Sequence, residues 1–140
     1  MSSSNLNNLV KTGQLKAEPA DQDELLGLLK SGKARLKDAQ NSALASESRF
    51  DLAYNAAHSI ALAALRSRGY RASNRYIVFQ AVPLVTDLGP EVWRVLSKVH
   101  DCRNLAEYEG HSEIDERLLH DLIIATQTLL NRTHVLVHQK

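Results

Sequence analysis

The sequence predicts an all-α protein, an antiparallel four-helix up-and-down bundle with an additional short N-terminal helix. Three observations point there. Apolar residues recur at spacings of three and four along most of the chain. Helix start and stop signals at Asp21, Gly69, Pro90 and Ser112-Glu113-Ile114-Asp115 fall between those segments. The connections are short, as antiparallel neighbours require. Against this stands a single β-prone run, Tyr76-Ile77-Val78-Phe79.

A leading helix around Asn5 to Thr12 stops at Gly13, and a polar segment through Glu18-Pro19-Ala20 links it to the main body. Residues 1–20 therefore read as a short helix and linker, and 21–140 as the bundle domain. Asp21 can accept hydrogen bonds from the unpaired amides of a first long helix, whose face holds Leu25, Leu26, Leu28, Leu29, Ala34, Leu36 and Ala39. Lys30, Lys33, Arg35 and Lys37 crowd its later half. A second helix runs from about Ala45 to Arg68, with Phe50, Ala53, Tyr54, Ala57, Ile60, Ala61, Ala64 and Leu65 inward. Its alanines permit close helix approach, and Gly69 is a left-handed stop. A third, roughly Ser73 to Asp87, carries Val78, Phe79, Val82 and Val85, with Pro83 expected to kink or end it. Pro90 suits the first position of a fourth helix, which buries Val92, Trp93, Leu96, Val99 and Cys102 and fades near Tyr108 to Gly110. The box at Ser112 then opens a last helix rich in Leu118, Leu119, Leu122, Ile123, Leu129 and Leu130.

A chain of 140 residues is one domain, able to bury about two-thirds of its unfolded surface without a metal or disulfide. With 24% charged and 44% hydrophobic residues it has a soluble protein's composition, and no apolar run approaches the roughly 20 residues that span a bilayer. Met1-Ser2-Ser3-Ser4-Asn5 lacks the charged-then-apolar order of a secretory signal, so a cytoplasmic protein with no membrane association is expected. The lone Cys102 excludes an intrachain disulfide and a thiolate zinc site. A net charge of +1 requires any nucleic-acid contact to come from a local patch. Neither a glycine-rich phosphate loop nor a serine-nucleophile elbow is present, and no metal or cofactor is expected.

The stretch Arg103-Asn104-Leu105-Ala106-Glu107-Tyr108 carries the most information about chemistry. It pairs a permanent cation with polar groups where a helix meets a loop. Arg103 and Tyr108 lie about 140° apart on a continuous helix, so they converge only if the helix loosens or a second subunit completes the site. The alternative is an ordinary one-turn pair of Arg103 with Glu107, with Tyr108 packing at the bundle end. The spacing itself is common, since Arg49 with Tyr54, Arg71 with Tyr76 and Arg94 with His100 offer versions of it. What sets Arg103 apart is the adjacent Asn104, the nearby helix end and the helix that follows.

A second stretch is Arg49-Phe50-Asp51-Leu52-Ala53-Tyr54-Asn55-Ala56-Ala57, continuing through Ala64-Leu65 to Gly69-Tyr70-Arg71. Together with Arg103-Asn104, Tyr108 and Ile114-Asp115, it resembles the HEPN superfamily of small helical proteins, often toxins or defence components. The resemblance covers roughly Leu25 to Val137. In nucleolytic members an arginine, usually followed by a polar residue, precedes a histidine by a short spacer, and two subunits join their copies for metal-independent RNA cleavage. Arg103 and Asn104 match, while Tyr108 occupies the histidine place. A phenol with a pKa near 10 is a poor general base at neutral pH, whereas an imidazole suits removal of a ribose 2′-hydroxyl proton. The resemblance implies a homodimer, a phosphate-binding Arg103, an orienting Asn104 and Tyr108 at the proton-handling position; His111 lies beyond the family spacing and would take that role only if a mobile loop brought it in.

A separate cluster, Arg66, Arg68, Tyr70, Arg71, Arg75 and Tyr76, offers four guanidinium groups and two stacking faces for RNA. Its structural alternative is that the arginines complement a helix C-terminus and bridge to acidic neighbours. RNA binding requires Arg103 on the same side. His134 and His138 sit one helical turn apart without a protease-like glutamate, and His58 and His120 read as structural or solvated. Asp51 near Tyr54 reads as an anchor for a buried hydroxyl.

The leading expectation is a HEPN-like RNA- or nucleotide-binding protein, acting as a metal-independent endoribonuclease of a toxin-antitoxin or defence system if it is catalytic. The alternative is a non-catalytic interaction or nucleotide-sensing module that partners a separate protein such as a nucleotidyltransferase.

Overall fold

The computed structural model describes the backbone of residues 2–109 and 115–139 and the side chains of residues 5–104 and 115–139. The protein is mostly helical, with α1 (Ser2–Lys11), α2 (Gln22–Ala39), α3 (Ser46–Ser67), α4 (Arg75–Thr86), α5 (Pro90–Glu109) and α6 (Glu116–His138). Two short strands, β1 (Leu15–Ala17) and β2 (Tyr70–Ala72), pair antiparallel with Leu15 opposite Ala72 and Ala17 opposite Tyr70. The all-α expectation omits this pair. Three-residue strands leave no legible alternation, and the run that looked β-prone became helical because Asn74 caps it, its Oδ1 accepting from the Ile77 amide at 3.0 Å.

Helix α3 occupies the middle of the molecule and packs against α2, α4 and α6. Buried residues lie around much of its circumference, and all eight positions read as inward from the sequence are among them. On α2 the expected face is narrower: Leu25, Leu29, Leu36 and Ala39 are buried, but Leu26 and Ala34 are exposed. Gly32 of α2 is buried instead, lying against Ile60 and the Ala56 carbonyl of α3. A Cβ at that position would stand 2.4 Å from Cγ1 of the fully buried Ile60. Gly32→Ala is therefore expected to destabilise the fold by a net of about 1–2 kcal/mol, overpacking outweighing the better helix propensity of alanine. Chemical denaturation measures this, and an unchanged or raised midpoint would contradict the close approach.

The leading segment is docked. Leu6 and Leu15 are buried in the same core as α3 and α4, and α1 packs on α4 and β1. Gly13 (φ +80°) and Gly69 (φ +86°) make the left-handed turns that bring β1 and β2 together. Pro83 does not end α4, which continues to Thr86. The Thr86 hydroxyl donates to the Val82 carbonyl at 2.6 Å, and Asp87 closes the helix with a left-handed φ of 61°. The last helix is capped by Asp115, whose carboxylate accepts from the Arg117 amide at 2.9 Å. The expected cap Ser112 lies outside the described residues.

Candidate functional site

Three helices converge at one end of α3. From α3 come Asp51, Tyr54, Asn55 and His58, spaced so that 51 and 55, like 54 and 58, stack one turn apart. The Asn74 cap fixes Arg75 and Tyr76 in the first turn of α4. From α5 come His100, Arg103 and Asn104, at positions i, i+3 and i+4 of one helix face.

The Tyr54 ring is the floor of the site and is 2% exposed. Two guanidinium groups approach it, Cζ of Arg103 at 4.6 Å and Cζ of Arg75 at 5.6 Å from the ring centroid. The negative face of the ring favours cations there. Arg103 Nη1 donates to Asp51 Oδ1 at 2.5 Å, and Arg75 Nη1 donates to Asn55 Oδ1 at 3.2 Å. Asp51 thus holds a guanidinium, not the Tyr54 hydroxyl. That hydroxyl lies 3.1 Å from Nδ1 of His100, and the Asn104 amide nitrogen lies 3.2 Å from Nε2. With Asn104 donating to Nε2, a neutral imidazole must donate from Nδ1 to the Tyr54 oxygen.

Tyr76 and Phe79 flank His100, each with its ring centroid 5.8 Å from the imidazole. Beyond them a cavity of about 290 Å³ opens between α4 and α5, with Trp93 and Ser97 on the α5 side. That volume is at the small end for a ligand pocket.

His58 lies at the inner edge of the site with its ring 6.0 Å from Phe79. Burial, then the nearby positive charge of Arg75, then His100, push its pKa from 6.5 down to about 4. A histidine that resists protonation in the fold but not in the unfolded chain leaves stability untouched above pH 6.5 and removes it as pH falls toward 4. Discounted for partial exposure, the loss by pH 4.5 is expected to be about 2 kcal/mol. His58→Gln should abolish most of that slope in denaturation curves between pH 7 and pH 4.5; a variant with the parent's slope would locate the sensitivity elsewhere.

The sequence candidates are distributed unevenly. Arg103 and Asn104 fall together in the site, joined by Arg75 and Tyr76 from the cationic cluster. The Tyr108 side chain and His111 lie outside the described residues. The rest of the cluster goes elsewhere. Arg66 is 1% exposed and binds Glu24 Oε1 at 2.7 Å and the Glu18 and Pro19 carbonyls at 2.9 and 2.8 Å. Arg71 pairs with Glu18 and Glu24 at 2.7 and 2.8 Å. These bonds to Arg71 first, and then to Arg66, hold the Glu24 carboxyl below its usual range. Arg68 donates to the Val85 carbonyl at 3.3 Å, and Tyr70 is half-buried in β2. Arg66 and Arg71 therefore realise the bridging alternative, Arg66 from inside the fold and Arg71 from its surface, with both guanidinium groups paired to Glu18 and Glu24.

His100 is the site residue that the sequence reading passed over, having paired it with Arg94. Arg94 instead stacks on Trp93, its Cζ 5.3 Å from the ring. The usable signal was His-x-x-Arg-Asn, which places three polar groups on one helical face. His134 and His138 lie with ring centroids 4.3 Å apart in a tilted arrangement, and among the described residues no group of three metal-ligating side chains occurs. Among the described residues no helix is long and apolar enough to cross a membrane. No protein-family model matches the chain, and no curated protein or solved structure matches it.

Proposed function

We propose that this chain is a HEPN-like RNA- or nucleotide-binding protein that receives phosphate at Arg103 and Arg75. The observation that carries the reading is the convergence of these two cations on the Tyr54 ring, at 4.6 and 5.6 Å, from helices remote in sequence. Arg103 thereby lies on the same side as Arg75 and Tyr76, the condition for RNA contact by that part of the cluster. Guanidinium groups match phosphate oxygens in fork geometry, and the exposed Asp51 is a weakly held counter-ion that an incoming phosphate can displace. In this reading α2, α3, α5 and α6 form the family's up-and-down bundle, the protein is a cytoplasmic homodimer, and its setting is a toxin-antitoxin or defence system.

In the cleaving form of the proposal, Arg103 stabilises the phosphorane's charge, Asn104 orients the phosphate, and Tyr108 or His111 moves protons. A second reading is a non-catalytic module partnering a nucleotidyltransferase-type protein. It is favoured by His100, whose two ring nitrogens are engaged by Tyr54 and Asn104 and which is 9% exposed, so that this imidazole is not a free base beside Arg103.

The test is binding and cleavage of single-stranded RNA in the presence of chelator by the purified chain, Arg103→Ala and Tyr108→Phe. Cleavage abolished in both variants supports the enzyme. Arg103-dependent binding without cleavage supports the module. Absence of binding to RNA and to nucleotides removes the proposal, and a monomer mass independent of concentration removes the dimer.

A further inference from the structure

The cavity between α4 and α5 shares His100 with the arginine site, and its chemistry differs from that of a phosphate cradle. We infer that this cavity seats a nucleobase whose phosphate lies on Arg75 and Arg103, so that the unit recognised is a nucleoside phosphate, free or within single-stranded RNA. This rests on the RNA- or nucleotide-binding reading above.

Shape and composition come first. Tyr76, Phe79 and Trp93 supply aromatic walls around a space of about 290 Å³, and aromatic faces hold bases by stacking without demanding a sequence. Tyr76 is 48% exposed, and Gln80 and Ser97 at the rim are also exposed, so the cavity is open to solvent. Polar capacity comes second. Gln80 Nε2 donates to the Tyr76 hydroxyl at 3.1 Å, which leaves the Gln80 carbonyl and one amide hydrogen, together with the Ser97 hydroxyl, for a base edge.

Placement is the third and deciding point. Tyr76 follows Arg75 directly in α4, and His100 precedes Arg103 by one turn of α5, about 4.5 Å of axial rise. Cavity and cations are therefore joined twice, through two different helices. A purely apolar ligand would make no use of the arginine pair, and inorganic phosphate would make no use of the aromatic walls. A nucleoside phosphate uses both.

Trp93 is the only tryptophan in the chain, so its emission reports on the cavity without a label. The full chain is titrated with AMP, UMP and ribose 5-phosphate, and in parallel its binding to a fluorescein-labelled single-stranded oligonucleotide is followed by anisotropy. AMP and UMP are expected to change Trp93 emission saturably, while ribose 5-phosphate leaves it unchanged. Ser97→Leu, a substitution at an exposed position that fills the rim, should weaken AMP binding about tenfold or more, in line with the loss of one stacked base. A fold-preserving control, Gln127→Leu on the exposed side of α6, should not.

Trp93 emission indifferent to both mononucleotides, or AMP affinity unaltered in Ser97→Leu, overturns the cavity assignment. Arg103-dependent oligonucleotide binding in that same case leaves the broader RNA reading standing. Conversely, a Ser97-sensitive AMP response without any oligonucleotide binding upholds the cavity and removes RNA as its source.

Discussion

Arg66→Ala is expected to lower stability by about 3 kcal/mol, corresponding to a fall in melting temperature of about 10 °C. In the sequence Arg66 is one of several arginines at a helix end, open to an RNA-binding reading and to a bridging one. In the fold its guanidinium is 1% exposed and gathers Glu24, the Glu18 and Pro19 carbonyls and, at 3.3 Å, the Tyr70 carbonyl. Those acceptors belong to the segment before α2, to α2 itself and to β2, so one side chain fastens the leading third of the chain to the end of α3. Removing Arg66 takes the donor away from Glu24 Oε1 and from the Glu18 and Pro19 carbonyls, and although Arg71 still pairs both carboxylates, the desolvated acceptors left behind cost more than the pair contributes. Glu18 and Glu24 are about a third exposed, at 34% and 30%, so water softens the loss and the lower end of the range applies. Arg66→Lys keeps the charge but has no planar fork to reach several acceptors at once, and it should recover only part of the loss.

Acid titration gives an independent check. The Glu24 carboxyl is held low by Arg71 first and Arg66 next, so its stabilisation is present above about pH 4.5 and lost as pH falls through its lower folded value. This window lies mostly below that of His58, and Arg66→Ala should flatten only the lower one. A variant as stable as the parent would mean that the buried network contributes no net stability.

The helices were legible in the sequence because each states its period and its ends locally. Gly69 and Pro90 bound their helices as expected, and the inward face of α3 follows from spacing alone. The short β1–β2 pair was not legible, since its register depends on two left-handed glycines and on the Glu18 amide donating to the Gly69 carbonyl at 2.9 Å. Nor could the chain's order show that Pro83 would be tolerated, because that depends on what surrounds α4.

For the candidate site, the sequence singled out Arg103 and Asn104, but it could not sort the clustered residues from Arg66 to Tyr76 by destination. Charge and aromatic content look alike along Arg66 to Tyr76. Their partners separate them, with Glu18 and Glu24 taking Arg66 and Arg71 while Arg75 and Tyr76 lie near Tyr54 and His100. His100 was missed for the same reason: its partners Tyr54 and Asn104 come from two helices, and a scan for arginine-to-histidine spacing pairs it with the wrong arginine.

Arg103→Ala and Asp51→Asn are expected to move RNA affinity in opposite directions. Arg103 sits over the Tyr54 ring and donates to an Asp51 carboxylate that is 64% exposed, so the pair is a surface ion pair contributing at most about 1 kcal/mol to folding. Both variants should therefore remain folded, and affinity changes can be read without a stability correction. Deleting the guanidinium removes a charge-assisted contact to phosphate and should weaken binding of single-stranded RNA about tenfold, and it should reduce the salt slope by about one. Neutralising Asp51 weakens one competing acceptor and removes a like charge near the incoming anion, and should tighten binding about three- to fivefold. Arg103→Lys should fall between parent and Arg103→Ala, because it retains the cation without the fork. The sign difference is the informative quantity, since general damage to the end of α5 would weaken binding in every variant. Affinity lowered in Asp51→Asn, or left unaltered in Arg103→Ala across a salt series, would show that phosphate does not reach this guanidinium.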